Sequence, residues 1–272
     1  MSDHPSRRTA DAPVPSLQPE ARAAMRRAGV IRAAALLALC VAAPAGLARA
    51  AQEPARTFEA LLAARDYVAL GEALEREYLA GRGAAARAWQ ERRLREGASA
   101  YLGFVYSREL MRAALNAPAR QQPALREKAA LVALYTMAVL TIDGPRCADP
   151  SAPVRRSEQL FDLAEQAYAW AAALPRARRE RLIDRALELE QATAALRDRD
   201  DFICLGGAED LAQAMQDPRT RVEEKPGGGL TVVPGSRAPA RFNDAEEARQ
   251  TQALARRTIR ADLCRMLEQM RS

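Results

Sequence analysis

Histidine is almost missing: one stands in 272 residues, at His4, ahead of everything that reads as mature protein. Ser-His-Asp and Cys-His catalysis therefore lack a base in the mature chain. Zinc sites of the His-Glu-x-x-His type and His-ligated haem lack their ligands. Lysine is nearly as scarce. Lys128 and Lys225 are the only two among 41 basic residues. Aromatics make up 5% of the chain, and β-branched residues are few. No Cys-x-x-Cys pair occurs, which removes the usual redox motif and zinc knuckle. No apolar run approaches the roughly 20 residues of a membrane-spanning helix.

What remains is a chain dominated by Ala, Leu, Arg and Glu, the residues that cost least in a helix interior. Its 49% hydrophobic content is ordinary and its length suffices to bury a core. The fold class expected is all-α: an irregular helical bundle or a short α-solenoid of helix hairpins.

The net charge of +6 misleads. Residues 1–50 hold seven Arg and three acids, leaving the remainder at +2. A nucleic-acid footprint needs a concentrated basic excess, so no nucleic-acid partner is expected. The basic excess sits in a leader. Met25-Arg26-Arg27 and Arg32 form a positive n-region, Ala33 to Ala43 an apolar run, and Pro44 and Gly46 a helix-breaking pair. Ala48-Arg49-Ala50 then supplies a small-x-small cleavage pattern. The reading is a signal peptide over 25–50, cut between Ala50 and Ala51. Cys40 is a poor lipoprotein cysteine because Leu39 before it is bulky, and Gly29 weakens a twin-arginine reading. Residues 1–24 read as a disordered or mis-assigned extension, with either Met1 or Met25 as the start. The mature chain, 51–272, reads as one α-helical domain, periplasmic or secreted, without a stable membrane span after cleavage.

Within it, 3- and 4-residue apolar steps predict one or two helices over 57–80 and a long helix over 84–116. In the latter, Leu94, Ala98, Tyr101, Phe104 and Val105 mark the apolar face, Trp89 lies on a separate stripe, and Gly97, Ala100 and Gly103 would allow close helix approach. Ala129 to Ile142 carries no charge and reads as a central helix buried all round. Two arms, 154–174 and 176–199, turning at Pro175, predict an antiparallel hairpin. Its faces are Leu160, Leu163, Ala167, Ala171 and Leu174 on one arm, and Leu182, Ala186, Leu189 and Leu196 on the other. A short helix near 208–216 follows. Residues 217–242 read as a Pro/Gly-rich loop or a small β-hairpin of 221–223 with 230–233. Asn243 with Glu246 fits the start of a last helix, whose apolar face is Ile259, Leu263, Met266, Leu267 and Met270.

Loss of Cys40 with the leader leaves Cys147, Cys204 and Cys264. The predicted hairpin brings its outer ends together, so Cys147 and Cys204 are expected to form a disulfide, with Cys264 left over; Cys204–Cys264 is the competitor. Carboxylate chemistry stays open. Glu109, in the aromatic-rich helix, is the single candidate acid, against the plainer reading of an ion-pair partner. The glycines 227–229 lack the spacing of a phosphate loop. No catalytic residue, cofactor or metal site is assigned. The expected function is an exported helical protein that works through contacts with an envelope protein or a cell-wall component. The alternative is a carboxylate-dependent envelope glycan hydrolase or lyase. An acid at the floor of a groove would favour the enzyme, and an exposed apolar helix face the interaction module.

Overall fold

An uncharged stretch of fourteen residues needs apolar neighbours on every side, and that requirement organises the molecule. The computed structural model describes residues 45–271 apart from 198–200, 225–229, 234 and 236–238. Among the described residues are nine α-helices. These are α1 (Ala45–Ala63), α2 (Tyr67–Leu79), α3 (Gly83–Arg95), α4 (Ala100–Asn116), α5 (Gln122–Asp143), α6 (Ser151–Ala172), α7 (Arg176–Thr193), α8 (Ala208–Gln216) and α9 (Ala245–Gln269). The strands β1 (Arg221–Glu224) and β2 (Leu230–Val233) pair antiparallel, with Arg221 opposite Val233. The hairpin alternative for this region is therefore the one that forms. No helix among the described residues is long and apolar enough to cross a membrane.

Helix α5 is the axis of the unit Glu53–Ser272. It packs against α4, α6, α7 and α9 at once. In a solenoid each hairpin would touch only its neighbours in the chain, so the architecture is a bundle. Ala129, Ala130, Ala133, Leu134, Ala138 and Ile142 have no exposed surface. Gly103 lets α4 close on α5, since a Cβ there would collide with the Thr136 side chain. Ser107 donates to the Ala129 carbonyl at 3.0 Å, and the Tyr168 hydroxyl of α6 donates to that of Ala133 at 3.1 Å.

Three local expectations need correction. The helix foreseen over 84–116 is two helices. Gly97, at φ +77°, closes α3 as the left-handed residue of a Schellman motif. Ala98 N–H donates to Arg93 O at 2.9 Å and Gly97 N–H to Leu94 O at 3.1 Å. Ser99 then caps α4 through Tyr101 N–H. Apolar spacing ran through this junction because Leu94 and Ala98 are buried on both sides of it. At the last helix the cap is Asp244, which accepts from Glu246 N–H at 2.8 Å and Glu247 N–H at 3.3 Å. Asn243 instead donates to the carbonyls of Pro145 and Cys147 at 3.0 and 3.1 Å. The arms α6 and α7 lie chiefly against α5 and not against each other, and Leu196, assigned to the core face, is 54% exposed. Gly46 lies in the first turn of α1. The signal run before residue 45 lies outside the described residues.

Candidate functional site

The Cys147 and Cys204 sulfurs stand at disulfide distance, with Cα atoms 4.9 Å apart, and Cys264 is a half-buried thiol. The pair ties the turn after α5 to the turn before α8. Residues 241–243 are laced onto the same place: Ala148 N–H donates to Arg241 O and Asn243 N–H to Arg146 O. Ala50 and Ala51, the expected cleavage residues, lie in the helical backbone of α1.

Two clefts flank this junction. The first, about 650 Å³, has an apolar floor of Met137, Leu140, Pro145 and Pro153 with Glu158 and Glu247 at its rim. The second, about 780 Å³, is lined by the α1–α2 turn, α6, the 202–206 turn and α8. It is the better candidate because it brings aromatic rings, charges of both signs and backbone in unusual conformations to one place.

Its aromatic wall is Tyr67 edge-on to Phe202, with ring centroids 4.7 Å apart, backed by Tyr101 at 5.4 Å from each. Arg65, at the end of α1, has φ +57°. It occupies the left-handed position that glycine usually takes at a helix end. There its guanidinium meets the buried Asp201 carboxylate at 2.8 Å. Arg156 of α6 lies over the Phe202 ring of this wall, 4.7 Å from the centroid. Its Nη1 donates to Gln159 Oε1 at 2.8 Å and its Nε to the Phe202 carbonyl at 3.4 Å. No carboxylate among the described residues reaches it. Burial pulls its pKa below the ordinary arginine value, partly offset by Tyr67 and Asp210. Gly206, at φ +73°, passes so near that a Cβ there would stand 3.0 Å from Arg156 Nη2. The Gly206 amide donates to Asp210 Oδ2 at 2.7 Å. Asp217, at the far end, accepts from Arg219.

A second ionic cluster lies wholly inside. Arg197, 1% exposed, uses its full fork. Nε donates to Asp143 Oδ2 at 2.7 Å, Nη2 to Glu190 Oε1 at 2.5 Å, and Nη1 to the Glu190 carbonyl and Thr193 Oγ1. Burial works against its charge, but the Asp143 bond and charge hold its pKa above the ordinary value. Gln252 and Arg256 of α9 add donors to Asp143 and Glu190. Every donor is consumed, so this cluster fastens α5, α7 and α9 together and offers a ligand nothing.

Glu109 is an ion-pair partner, though a buried one. Its Oε1 accepts from Arg108 Nε at 3.1 Å and Arg112 Nη1 at 3.2 Å, and it lines neither cleft. Sequence reasoning missed the second cleft altogether. Arg65, Arg156, Asp201 and Asp210 come from four separate segments, and nothing in their spacing joins them. The available signal was Phe202, a lone aromatic in the turn 201–207.

Compared with known proteins, the chain matches no family model, no curated protein and no solved structure.

Proposed function

We propose that the mature chain is an exported helical binding protein that holds a component of the envelope, from a partner protein or the cell wall, in the cleft between the α1–α2 turn, α6 and α8. The observation that carries this is the composition of the walls. An edge-on aromatic cluster lies beside charged groups on a frame fixed by the 147–204 cysteine pair and the Arg65–Asp201 ion pair. Binding sites combine apolar area with a few placed polar groups in just this way, in volumes of roughly 300–1,000 Å³. The leader pattern of residues 25–50 supports export.

The hydrolase alternative draws less support from the same geometry. A glycan-cleaving acid needs a partner carboxylate across an open gap. Here Asp201 accepts from Arg65 and Asp210 from the Gly206 amide.

Filling the cleft tests the reading. Ala214 lines it from α8, and Ala214→Trp places an indole in the space. Protein purified from the envelope compartment is examined by native mass spectrometry. Its melting temperature is also measured with and without a low-mass envelope extract. The wild type is expected to carry an added mass or to gain stability, and Ala214→Trp to show neither while keeping its helical circular dichroism. Identical behaviour of the two proteins would overturn the proposal.

A further inference from the structure

We infer that the cleft recognises a zwitterionic α-amino acid with an apolar or aromatic side chain, its carboxylate on Arg156 and its ammonium on Asp210. The inference rests on the binding reading above.

Once the cleft's internal ion pairs are set aside, one charge of each sign is left. Arg65 is matched to Asp201 and Asp217 to Arg219. Neither Arg156 nor Asp210 forms an ion pair with another described residue, although each feels the other's charge and Asp210 also feels that of Arg241. Both are half-buried, so neither is simply dissolved in solvent. Arg197 is matched to Asp143 and Glu190, and Arg108 and Arg112 to Glu75 and Glu109, while the buried Arg179 spends Nη1 on the Ala172 and Leu174 carbonyls. Arg156 stands at a cleft wall, with Nη2 lacking any hydrogen-bond acceptor among the described residues. Asp210 spends Oδ2 on the Gly206 amide and keeps Oδ1.

Gly206 joins the two groups. Its amide holds Asp210, and its Cα passes against the Arg156 guanidinium. The opposite charges thus flank one residue without pairing, and an ammonium and a carboxylate carried on a single α-carbon would bridge them. Glycine is required there twice over, by its φ of +73° and by the room a Cβ would take from Arg156. A dianion such as phosphate fits poorly, because Asp201, Asp210 and Asp217 outnumber the two arginines along the lining. The remaining surface, Val68, Tyr67 and Leu205, backed by the buried Phe202, is apolar or aromatic and would receive the side chain. Burial at Arg156 strengthens whatever charged hydrogen bond it makes.

Calorimetric titration of the purified mature chain with L-phenylalanine, N-acetyl-L-phenylalanine, L-phenylalaninamide and L-alanyl-L-phenylalanine tests this. Saturable binding of L-phenylalanine is expected. Blocking either end should weaken it by about tenfold or more, the usual consequence of losing a charged hydrogen bond. The dipeptide, whose charges are spread further apart, should also bind more weakly. Arg156→Gln and Asp210→Asn should each reduce affinity for L-phenylalanine about tenfold, with Arg156→Lys retaining more than Arg156→Gln. Circular dichroism and melting temperature confirm that the variants fold. Equal binding of the N-acetyl form would overturn the role of Asp210, and equal binding of the amide that of Arg156. Tighter dipeptide binding would replace the single amino acid with a peptide end. If none of the four binds while the envelope extract still stabilises the wild type and not Ala214→Trp, the ligand class is wrong and the binding reading stands.

Discussion

Gln90 and Arg197 have the same burial and opposite fates. Gln90 lies on the face of α3 shared with Ala86 and Leu94 and has no exposed surface, yet neither its Nε2 nor its Oε1 finds a partner. An amide buried in that state forfeits its hydration for nothing, at about 1–3 kcal/mol. Gln90→Leu, similar in volume, is expected to raise stability by about 1–2 kcal/mol, read as a higher urea midpoint with an unchanged slope. A fall in the midpoint would show that the amide is satisfied. Arg197 is the converse. Arg197→Met would leave the buried Asp143 without an ion pair and Glu190 with Arg256 alone, and is expected to cost about 3–5 kcal/mol. Neither residue was legible in the sequence. In a chain whose cations are nearly all arginine, a buried arginine looks like a surface one. On a helix reading Ala-Trp-Gln-Glu-Arg-Arg, the glutamine looks like solvent-facing filler. Burial at single positions is decided by which neighbouring helix arrives, and that information is not local.

Elements were more legible than residues. The uncharged run 129–142 announces a central helix by itself, because such a segment has no solvent face to offer. The Cys147–Cys204 pairing was also within reach of the sequence. Both cysteines fall in connectors at the outer ends of two arms of similar length, and those ends meet even though the arms pack on α5. The helix ends were less legible. Gly97 is a break and Asn243 is a tether where periodicity and capping patterns suggested otherwise, since the deciding hydrogen bonds run to Arg93 and to the 145–147 turn. The bond between Cys147 and Cys204 closes a loop with a sequence separation of 57. For that length the chain-entropy account gives about 4 kcal/mol as an upper figure. Cys147→Ser, or reduction, is therefore expected to lower the melting temperature by several degrees, with Cys264→Ser changing it much less. Non-reducing peptide mapping checks the pairing directly. A crosslinked peptide containing Cys264 would contradict it.

At the scale of the whole molecule the open issue is where the mature chain begins, and helix α1 makes the issue physical. The expected cut between Ala50 and Ala51 falls inside this helix, six residues from its start. What attaches α1 to the rest lies further on. Phe58, 2% exposed, packs on Trp89 with ring centroids 5.0 Å apart. Glu59 accepts from Trp89 Nε1–H at 2.8 Å. Both contacts survive cleavage at Ala51, and a helix shortened at its N-terminus loses only the fraying turn. A chain beginning at Ala51 is therefore expected to melt within about a degree or two of the longer one, since the Phe58 and Glu59 contacts are kept. A chain beginning at Tyr67 exposes Trp89, removes Arg65 from Asp201 and should lose several kcal/mol, as large buried aromatic contacts do. Intact-mass measurement on protein from the envelope fraction then decides processing: a mass starting at or within a few residues of Ala51 supports export through a cleaved leader. A mass that retains residues 25–50, or an acyl group on Cys40, would mean that the leader stays attached as an anchor. The stability comparison would still show that the folded unit does not depend on it.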